Sequence, residues 1–237
     1  MVLYRGSLKS CNYRCSYCPF SKHPRSGREL LRDKEQWLRF CESLLERAEQ
    51  LAIRAAMVVP YGEALLYPWY WEGLGRLAGA GFIDAVGAQT NLSFSVENSL
   101  KIYEEAGGAR KKLKIWATFH PEMTSVALFS EKCRQMYRAG VSMSVGAVGV
   151  TVNRQVIKQL RRALPDEIYL WINQMDGLGR AYTEEEIEDF REVDPYFCRE
   201  LECVPSSYGL CADRLFVEGD GRLRRCNISK VLPENWY

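Results

Sequence analysis

Three cysteines near the start of the chain could hold a metal centre. Cys11, Cys15 and Cys18 follow one another in the pattern C-x3-C-x2-C, directly after a short run of residues that predicts a strand. Thiolates bind soft metals, and three of them within eight residues can surround one centre. A structural zinc site usually has four protein ligands, so a zinc site would also need His23. A cubane iron–sulfur cluster held by three thiolates leaves one iron open, and the spacing favours this second reading.

Polar residues also follow the later predicted strands. Gly62 and Glu63 come after the second strand, Asn91 after the third, and Thr118 and His120 at the end of the fourth. A carboxylate and backbone carbonyls can accept hydrogen bonds from an ammonium group, and glycine permits close backbone approach. His120 is a candidate substrate contact or catalytic residue. Because active sites gather at the carboxyl ends of parallel strands, we expect these residues beside the cysteines.

The elements that must position these residues alternate between strands and helices. Predicted strands begin at residues 2, 55, 83, 113, 142 and 168, a nearly constant spacing after a longer first unit. This repeat predicts sequential βαβ units and a parallel sheet. Because a complete eight-unit barrel takes about 250 residues, we expect an open, partial (βα)6 barrel of the TIM type, with a doubly wound sheet as the alternative. The predicted strands are Val2–Leu8, Ala55–Pro60, Ile83–Thr90, Leu113–Phe119, Ser142–Val148 and Ile168–Asn173.

Helical patterns lie between the strands. The first is predicted over Asp33–Leu51, where Leu38, Cys41 and Leu45 recur at helical spacing. The last, Thr183–Arg191, starts at a capping box. The other predicted helices are Pro68–Ala80, Ser95–Ala106, Ser130–Ala139 and Asn153–Ala163.

The last 43 residues break this repeat. Leu215–Glu218 and Arg222–Arg225 flank a Gly-Asp-Gly turn and predict a small hairpin. We therefore expect two units, a core barrel over residues 1–194 and a C-terminal extension over residues 195–237.

Composition limits the class of protein. The chain has 237 residues, a formal net charge of +2 and 47% hydrophobic residues, enough to build a core. No apolar run reaches the ~20 residues that a membrane span needs. The near-neutral charge favours no nucleic-acid surface, and no secretory signal is evident. Nine cysteines without such a signal favour a cytoplasmic protein with metal-binding or catalytic thiols.

The cysteine triplet, with Tyr17 before its last cysteine, resembles the signature of the radical S-adenosylmethionine (SAM) superfamily. The resemblance spans about residues 1–194 and implies a six-unit barrel. It also implies a 4Fe–4S cluster on the three cysteines and SAM bound at the open iron. Gly62 and Glu63 match a Gly-Gly-Glu segment that meets the SAM amino group, although Tyr61 replaces the first glycine. The cofactor-binding residues implied in this way are Tyr17, Gly62, Glu63, Asn91, Thr118, Val148 and Asn173.

The same resemblance implies an oxidoreductase or maturase that cleaves SAM reductively. The resulting 5′-deoxyadenosyl radical abstracts hydrogen from a substrate, with a peptide as the expected class. A flavodoxin or ferredoxin is the implied electron donor. Two alternatives stay open: an activase that makes a glycyl radical on a partner enzyme, and a non-catalytic zinc-binding module.

The tail resembles a second motif. Cys211 and Cys226 form a C-x9-G-x4-C pattern similar to the opening of Twitch and SPASM extensions, which carry auxiliary iron–sulfur clusters. Those extensions supply further cysteines downstream, and no cysteine follows Cys226 in this sequence. We expect the two sulfurs to lie close together across the hairpin, facing the barrel mouth. A second cluster there is the corresponding expectation, and an ordinary hairpin with two free thiols is the alternative.

Overall fold

The computed structural model describes residues 1–18, 20, 23–202, 214–226 and 229–237. Within these residues, nine strands form one sheet: β1 (Val2–Arg5), β2 (Ala55–Val58), β3 (Ala85–Thr90), β4 (Leu113–Phe119), β5 (Ser142–Val148), β6 (Leu170–Asn173), β7 (Leu215–Glu218), β8 (Arg222–Arg224) and β9 (Val231–Asn235). The α-helices are α1 (Gly27–Arg47), α2 (Pro68–Gly79), α3 (Val96–Glu105), α4 (Val126–Arg138), α5 (Arg154–Ala163), α6 (Glu184–Arg191) and α7 (Phe197–Leu201).

The sheet runs in the order β6-β5-β4-β3-β2-β1-β7-β8-β9. Strands β1 to β6 are parallel to their neighbours, with the intervening helices as crossovers. The carboxyl ends of these six strands therefore share one edge. Because β6 and β9 end the sheet without pairing to each other, the barrel is open. The expected α/β fold, a partial TIM-type barrel, is confirmed.

The observed bounds follow local sequence signals. Strands β4 and β5 cover the predicted residues, whereas helix α1 begins six residues before its predicted start at Asp33. The cause is a capping box, in which the Ser26 side chain accepts from the Glu29 backbone and the Glu29 side chain accepts from the Ser26 backbone. This box satisfies free backbone donors of the first turn, so the helix starts before its apolar periodicity does.

The helices cover the outer face of the sheet with large buried side chains. Trp37 and Phe40 of α1 and Tyr70 of α2 pack around Tyr4 of β1, with the Tyr4 and Phe40 rings 4.4 Å apart. All four side chains are at most 1% exposed. Aromatic burial on this scale fixes α1 and α2 against β1, the strand that leads into the cysteines.

The extension contributes to the same sheet. Strand β7 pairs in parallel with β1, and β8 pairs with β7 in an antiparallel hairpin, as the Gly-Asp-Gly turn predicts. Gly221 has a φ of +89°, which a residue without Cβ adopts readily. The division at residue 194 stays a prediction. Strand β9 and helix α7 were not predicted, because neither has a clear periodic pattern.

No helix in the described ranges combines the length and the apolar character needed to cross a membrane.

Candidate active site

A buried carboxylate on helix α1 holds the segment between β1 and the cysteines in place. Asp33 of α1 accepts hydrogen bonds from the Leu8 backbone N–H at 3.2 Å and from the Tyr70 hydroxyl at 2.7 Å. A Cβ atom on Gly6 would lie 2.2 Å from an Asp33 oxygen, so only glycine fits there without a shift. Burial raises the pKa of Asp33, and the two hydrogen bonds oppose that rise. Helix α1 thus positions the start of the cysteine loop, which we define as residues 10–18.

The cysteine loop closes one side of a cavity of about 170 Å³ at the carboxyl edge of the parallel strands. The cavity brings together the cysteine triplet and residues that follow β2, β3 and β4, as the parallel topology leads one to expect. The lining residues are Cys11, Tyr13, Cys15, Cys18, Pro60, Tyr61, Gly62, Glu63, Gln89, Thr90, Asn91, Thr118 and His120.

The three thiols suit a cluster of several metal atoms. Cys15 is 2% exposed, and Cys11 and Cys18 are half-buried. Burial raises the pKa of Cys11, and it raises that of Cys15 to about 11, so a metal must displace protons to bind. Among the described residues, no three Cys, His, Asp or Glu side chains converge on a single ion position. The three thiols line one cavity, and a cubane cluster takes one thiolate on each of three irons, so this donor set suits a 4Fe–4S group.

The loop after β2 packs directly on the cysteine loop. A Cβ atom on Gly62 would lie 1.8 Å from the Ser10 carbonyl oxygen, and the Glu63 N–H donates to that same oxygen at 3.3 Å. Glycine at position 62 therefore allows this loop to approach the backbone of Ser10, directly before Cys11. Tyr61 does not adopt a positive φ, so its place in the motif costs no backbone strain. The Arg5 guanidinium covers its ring at 4.6 Å.

Glu63 joins the ends of β2 and β3. Its carboxylate, 2% exposed, accepts hydrogen bonds from the Leu65 N–H at 3.0 Å, the Thr90 hydroxyl at 2.8 Å and the Asn91 N–H at 2.5 Å. Burial raises its pKa from 4.5 to about 7, against the opposing effect of those three donors. Through these hydrogen bonds Glu63 connects the end of β2 to the end of β3. It is also one of the residues that line the cavity.

Asn91 links β3 to the cysteine loop. Its side-chain amide donates to Oδ1 of the Asn12 side chain at 3.0 Å and to the Cys11 sulfur at 3.6 Å. Oδ1 of the Asn91 side chain accepts from the Ser93 N–H at 3.0 Å. Hydrogen bonds to a sulfur are among the features that tune the potential of an iron–sulfur group, so the Asn91 amide is placed where it can do so.

Two side chains that follow β4 hold the other end of the cysteine loop. The Tyr17 hydroxyl lies 2.7 Å from Nδ1 of His120. Burial lowers the pKa of His120 to about 4, so the imidazole is neutral near pH 7. Glu122 accepts hydrogen bonds from the Ser16 N–H at 2.7 Å and from the Ser16 hydroxyl at 2.6 Å. Glu122 was not predicted from the sequence, although it lies in the same loop as His120.

The other predicted site residues differ in whether they line this cavity. Tyr17 reaches it through His120, whereas Thr118 lines it directly. Val148 and Asn173 are paired at the ends of β5 and β6, outside the lining of this cavity.

The predicted auxiliary site is only partly within the described residues. Cys226 is half-buried, and its N–H donates to the Ser229 hydroxyl at 3.1 Å. Cys211 lies outside the described residues, so the expected proximity of the two sulfurs stays a prediction.

Neither a family model nor a curated protein matches this sequence. Solved structures do match its fold. SuiB of Streptococcus suis bound to S-adenosylmethionine has a TM-score of 0.61 at 11% identity, with 99% of this chain and 60% of that chain covered. Native anSMEcpe with bound AdoMet and the Cp18Cys peptide has a TM-score of 0.63 at 14% identity, with 99% and 77% covered. The chain has the fold shared by these structures, and it spans 60% of the length of SuiB.

Proposed function

We propose that this chain is a radical SAM enzyme that uses a 4Fe–4S cluster and SAM to abstract hydrogen from a substrate. The observation that carries the proposal is the cavity in which three cysteines meet Gly62, Glu63, Asn91 and Thr118. Its place at the carboxyl edge of an open parallel barrel adds support, because two structures of the same fold were solved with SAM bound.

The residues around the cavity have separable tasks. Cys11, Cys15 and Cys18 would hold the cluster, which when bound would supply the electron that cleaves SAM to methionine and a 5′-deoxyadenosyl radical. The Tyr61–Glu63 loop lines the same cavity as the cysteines, and its backbone carbonyls would be the acceptors for an ammonium group. Once ionised, Glu63 adds a negative charge to the same side, while Asn91 and Thr118 present polar side chains to the rest of the cavity.

A single experiment tests the reaction class. Anaerobically reconstituted protein should absorb as a 4Fe–4S protein and release 5′-deoxyadenosine from SAM when dithionite is added. The Cys15→Ala variant should lose both properties. Cys198→Ala is the matched control, because Cys198 is a half-buried thiol in α7, outside the cavity, and it should retain both. Cluster and product formation by Cys15→Ala would contradict the site assignment.

Metal analysis tests two alternatives: a zinc centre in place of the 4Fe–4S cluster, and a second cluster in the C-terminal extension. About four irons per chain would indicate the first cluster alone, and about eight would indicate a second cluster that involves Cys211 and Cys226. About one zinc without iron or sulfide would favour the zinc-binding module instead.

For the substrate class we propose a peptide. The support is the fold shared with anSMEcpe, which was solved with a peptide and AdoMet together. Incubation with random peptide pools and mass spectrometry of the products tests this, and turnover without a partner enzyme would exclude the activase alternative. Release of 5′-deoxyadenosine with no modified peptide in any pool would contradict the peptide class.

A further inference from the structure

The loop after β3 has a strained backbone next to the cysteine loop. Leu92 has a φ of +58°, in the left-handed region that residues with a Cβ atom seldom adopt. Among non-glycine residues of the described ranges, only Ala52 shares a positive φ. A left-handed backbone costs free energy for a bulky residue, so it persists only where surrounding contacts hold it. Strain of this kind is concentrated at functional sites, and Leu92 directly follows Asn91, whose amide contacts Cys11.

Three kinds of contact hold Leu92 in this conformation. Its N–H donates to the Thr90 hydroxyl at 3.0 Å, and its side chain is 1% exposed within the core. Its carbonyl oxygen accepts from the Lys132 ammonium group at 3.0 Å, and the same ammonium group donates to the Phe94 carbonyl oxygen at 2.7 Å. Because Lys132 lies in α4, a side chain from a separate helix fixes the backbone of the loop after β3.

The backbone of this loop determines where the Asn91 side chain points. Oδ1 of Asn91 accepts from the Ser93 N–H at 3.0 Å, and the amide group at the other side of the same side chain donates to the Cys11 sulfur at 3.6 Å. Ser93 lies between the two residues whose carbonyl oxygens Lys132 binds. A shift of this backbone would therefore move the Ser93 N–H, and with it the Asn91 amide.

We infer that Lys132 is a positioning residue that keeps the Asn91 amide on the Cys11 sulfur and thereby helps to set the reduction potential of the cluster. This inference rests on the proposed function, because only a cluster held by Cys11 gives that hydrogen bond a potential to tune. A donor at the sulfur stabilises the more negative, reduced cluster relative to the oxidised one. Loss of the contact therefore makes the cluster harder to reduce.

The positive charge of Lys132 is a competing explanation for any effect on the cluster. A cation near the cavity favours the reduced cluster through space, and Lys132 interacts electrostatically with Glu63, which lines the cavity. The two effects differ in what they require. The charge acts whether or not the Asn91 amide is present, whereas positioning acts only through that amide. A double-mutant cycle of Lys132→Met and Asn91→Ala therefore separates them.

The chain offers a matched control for Lys132→Met. Lys112 is also half-buried, and its ammonium group donates to two backbone carbonyl oxygens, those of Ala78 at 2.8 Å and Ala80 at 3.1 Å. It lies directly before β4, at the amino edge of the sheet and therefore away from the cavity. Lys112→Met thus removes the same charge and the same kind of hydrogen bonds as Lys132→Met.

The first readout uses the metal-free proteins. Lys132→Met should speed amide hydrogen exchange at residues 92–94 by about tenfold, because the loop loses its link to α4. Lys112→Met should leave exchange in this segment unchanged.

The second readout is an anaerobic potentiometric titration of the reconstituted cluster. At a fixed applied potential, the ratio of reduced to oxidised cluster should fall about fivefold in Lys132→Met and to a similar extent in Asn91→Ala, the change expected for one hydrogen bond. Lys132→Met should have no further effect in the Asn91→Ala background. The Lys112→Met cluster should titrate as the wild type does.

The outcomes separate this inference from the proposed function. If the reconstituted wild type contains no 4Fe–4S cluster, the proposed function is wrong and the inference falls with it. If the cluster forms but Lys132→Met titrates as the wild type does, only the inference is wrong. Equal effects of Lys132→Met with and without the Asn91 amide would also overturn it, because the charge alone would then act. Unchanged exchange at residues 92–94 would show that Lys132 does not hold the loop.

Discussion

Glu63 allows the energetics of the site to be tested without any cofactor. The carboxylate is buried between two strand ends, where burial raises its pKa from 4.5 to about 7. Between these two pH values the folded protein therefore binds more protons than the unfolded chain does. Folding stability contributed by this group is present below pH 4.5 and is lost as the pH rises to about 7. The difference in pKa corresponds to a loss of about 3 kcal/mol.

The Glu63→Gln variant removes this titration and nearly preserves the shape of the side chain. Compared with the variant, the wild type should lose about 2.5 kcal/mol of unfolding free energy between pH 5 and pH 8. Urea unfolding of the metal-free proteins at four pH values measures the difference. The Glu104→Gln variant is the control, because Arg110 lowers the pKa of this exposed carboxylate. The effect of this substitution on the unfolding free energy should therefore not vary above pH 5.

Parallel stability curves for wild type and Glu63→Gln across this range would refute the reasoning. They would mean that the carboxylate stays ionised throughout, so that the hydrogen bonds from Leu65, Thr90 and Asn91 outweigh its burial.

Two further predictions concern the packing of the cysteine loop. Gly62→Ala should destabilise the protein by about 1–3 kcal/mol in urea unfolding, because the new Cβ would meet the Ser10 carbonyl oxygen at 1.8 Å. Gly81→Ala, where nothing lies within 4 Å, should cost far less, and equal costs would argue against the close approach. Glu122→Ala should speed amide hydrogen exchange at residues 12–18 and change global stability by less than about 1 kcal/mol, since the lost contacts with Ser16 are exposed. Unchanged exchange in that segment would show that Glu122 does not hold the loop.

The repeated βα pattern predicts much of this fold, because each unit carries its own signal. Apolar, β-branched runs locate β4 and β5 to the residue. Parallel topology then brings the ends of these strands together, so Thr118 and His120 could be placed beside the cysteines in advance. The start of α1 was missed because its capping box precedes the apolar periodicity.

Contacts between distant segments could not be predicted in this way. The approach of Gly62 to Ser10 and the hydrogen bond that Ser16 donates to Glu122 depend on how loops distant in sequence meet in space, and these loops have no periodic pattern. Glu63 was predicted as a ligand for an ammonium group, whereas three donors from the protein already approach its carboxylate. Its interaction with SAM remains a prediction.

The pairing of β7 with β1 has a consequence for how the protein is made. Val2 lies in register with Ala56 on one side and with Leu215 on the other, so the strand that leads into the cysteines has one neighbour synthesised early and one synthesised late. On the ribosome, β1 keeps an unpaired edge until residues 215–218 have emerged, and exposed edges of this kind favour wrong association. Stable loading of the cysteine loop with metal is therefore expected to follow synthesis of the whole sheet, and partial chains released earlier would need protection from aggregation.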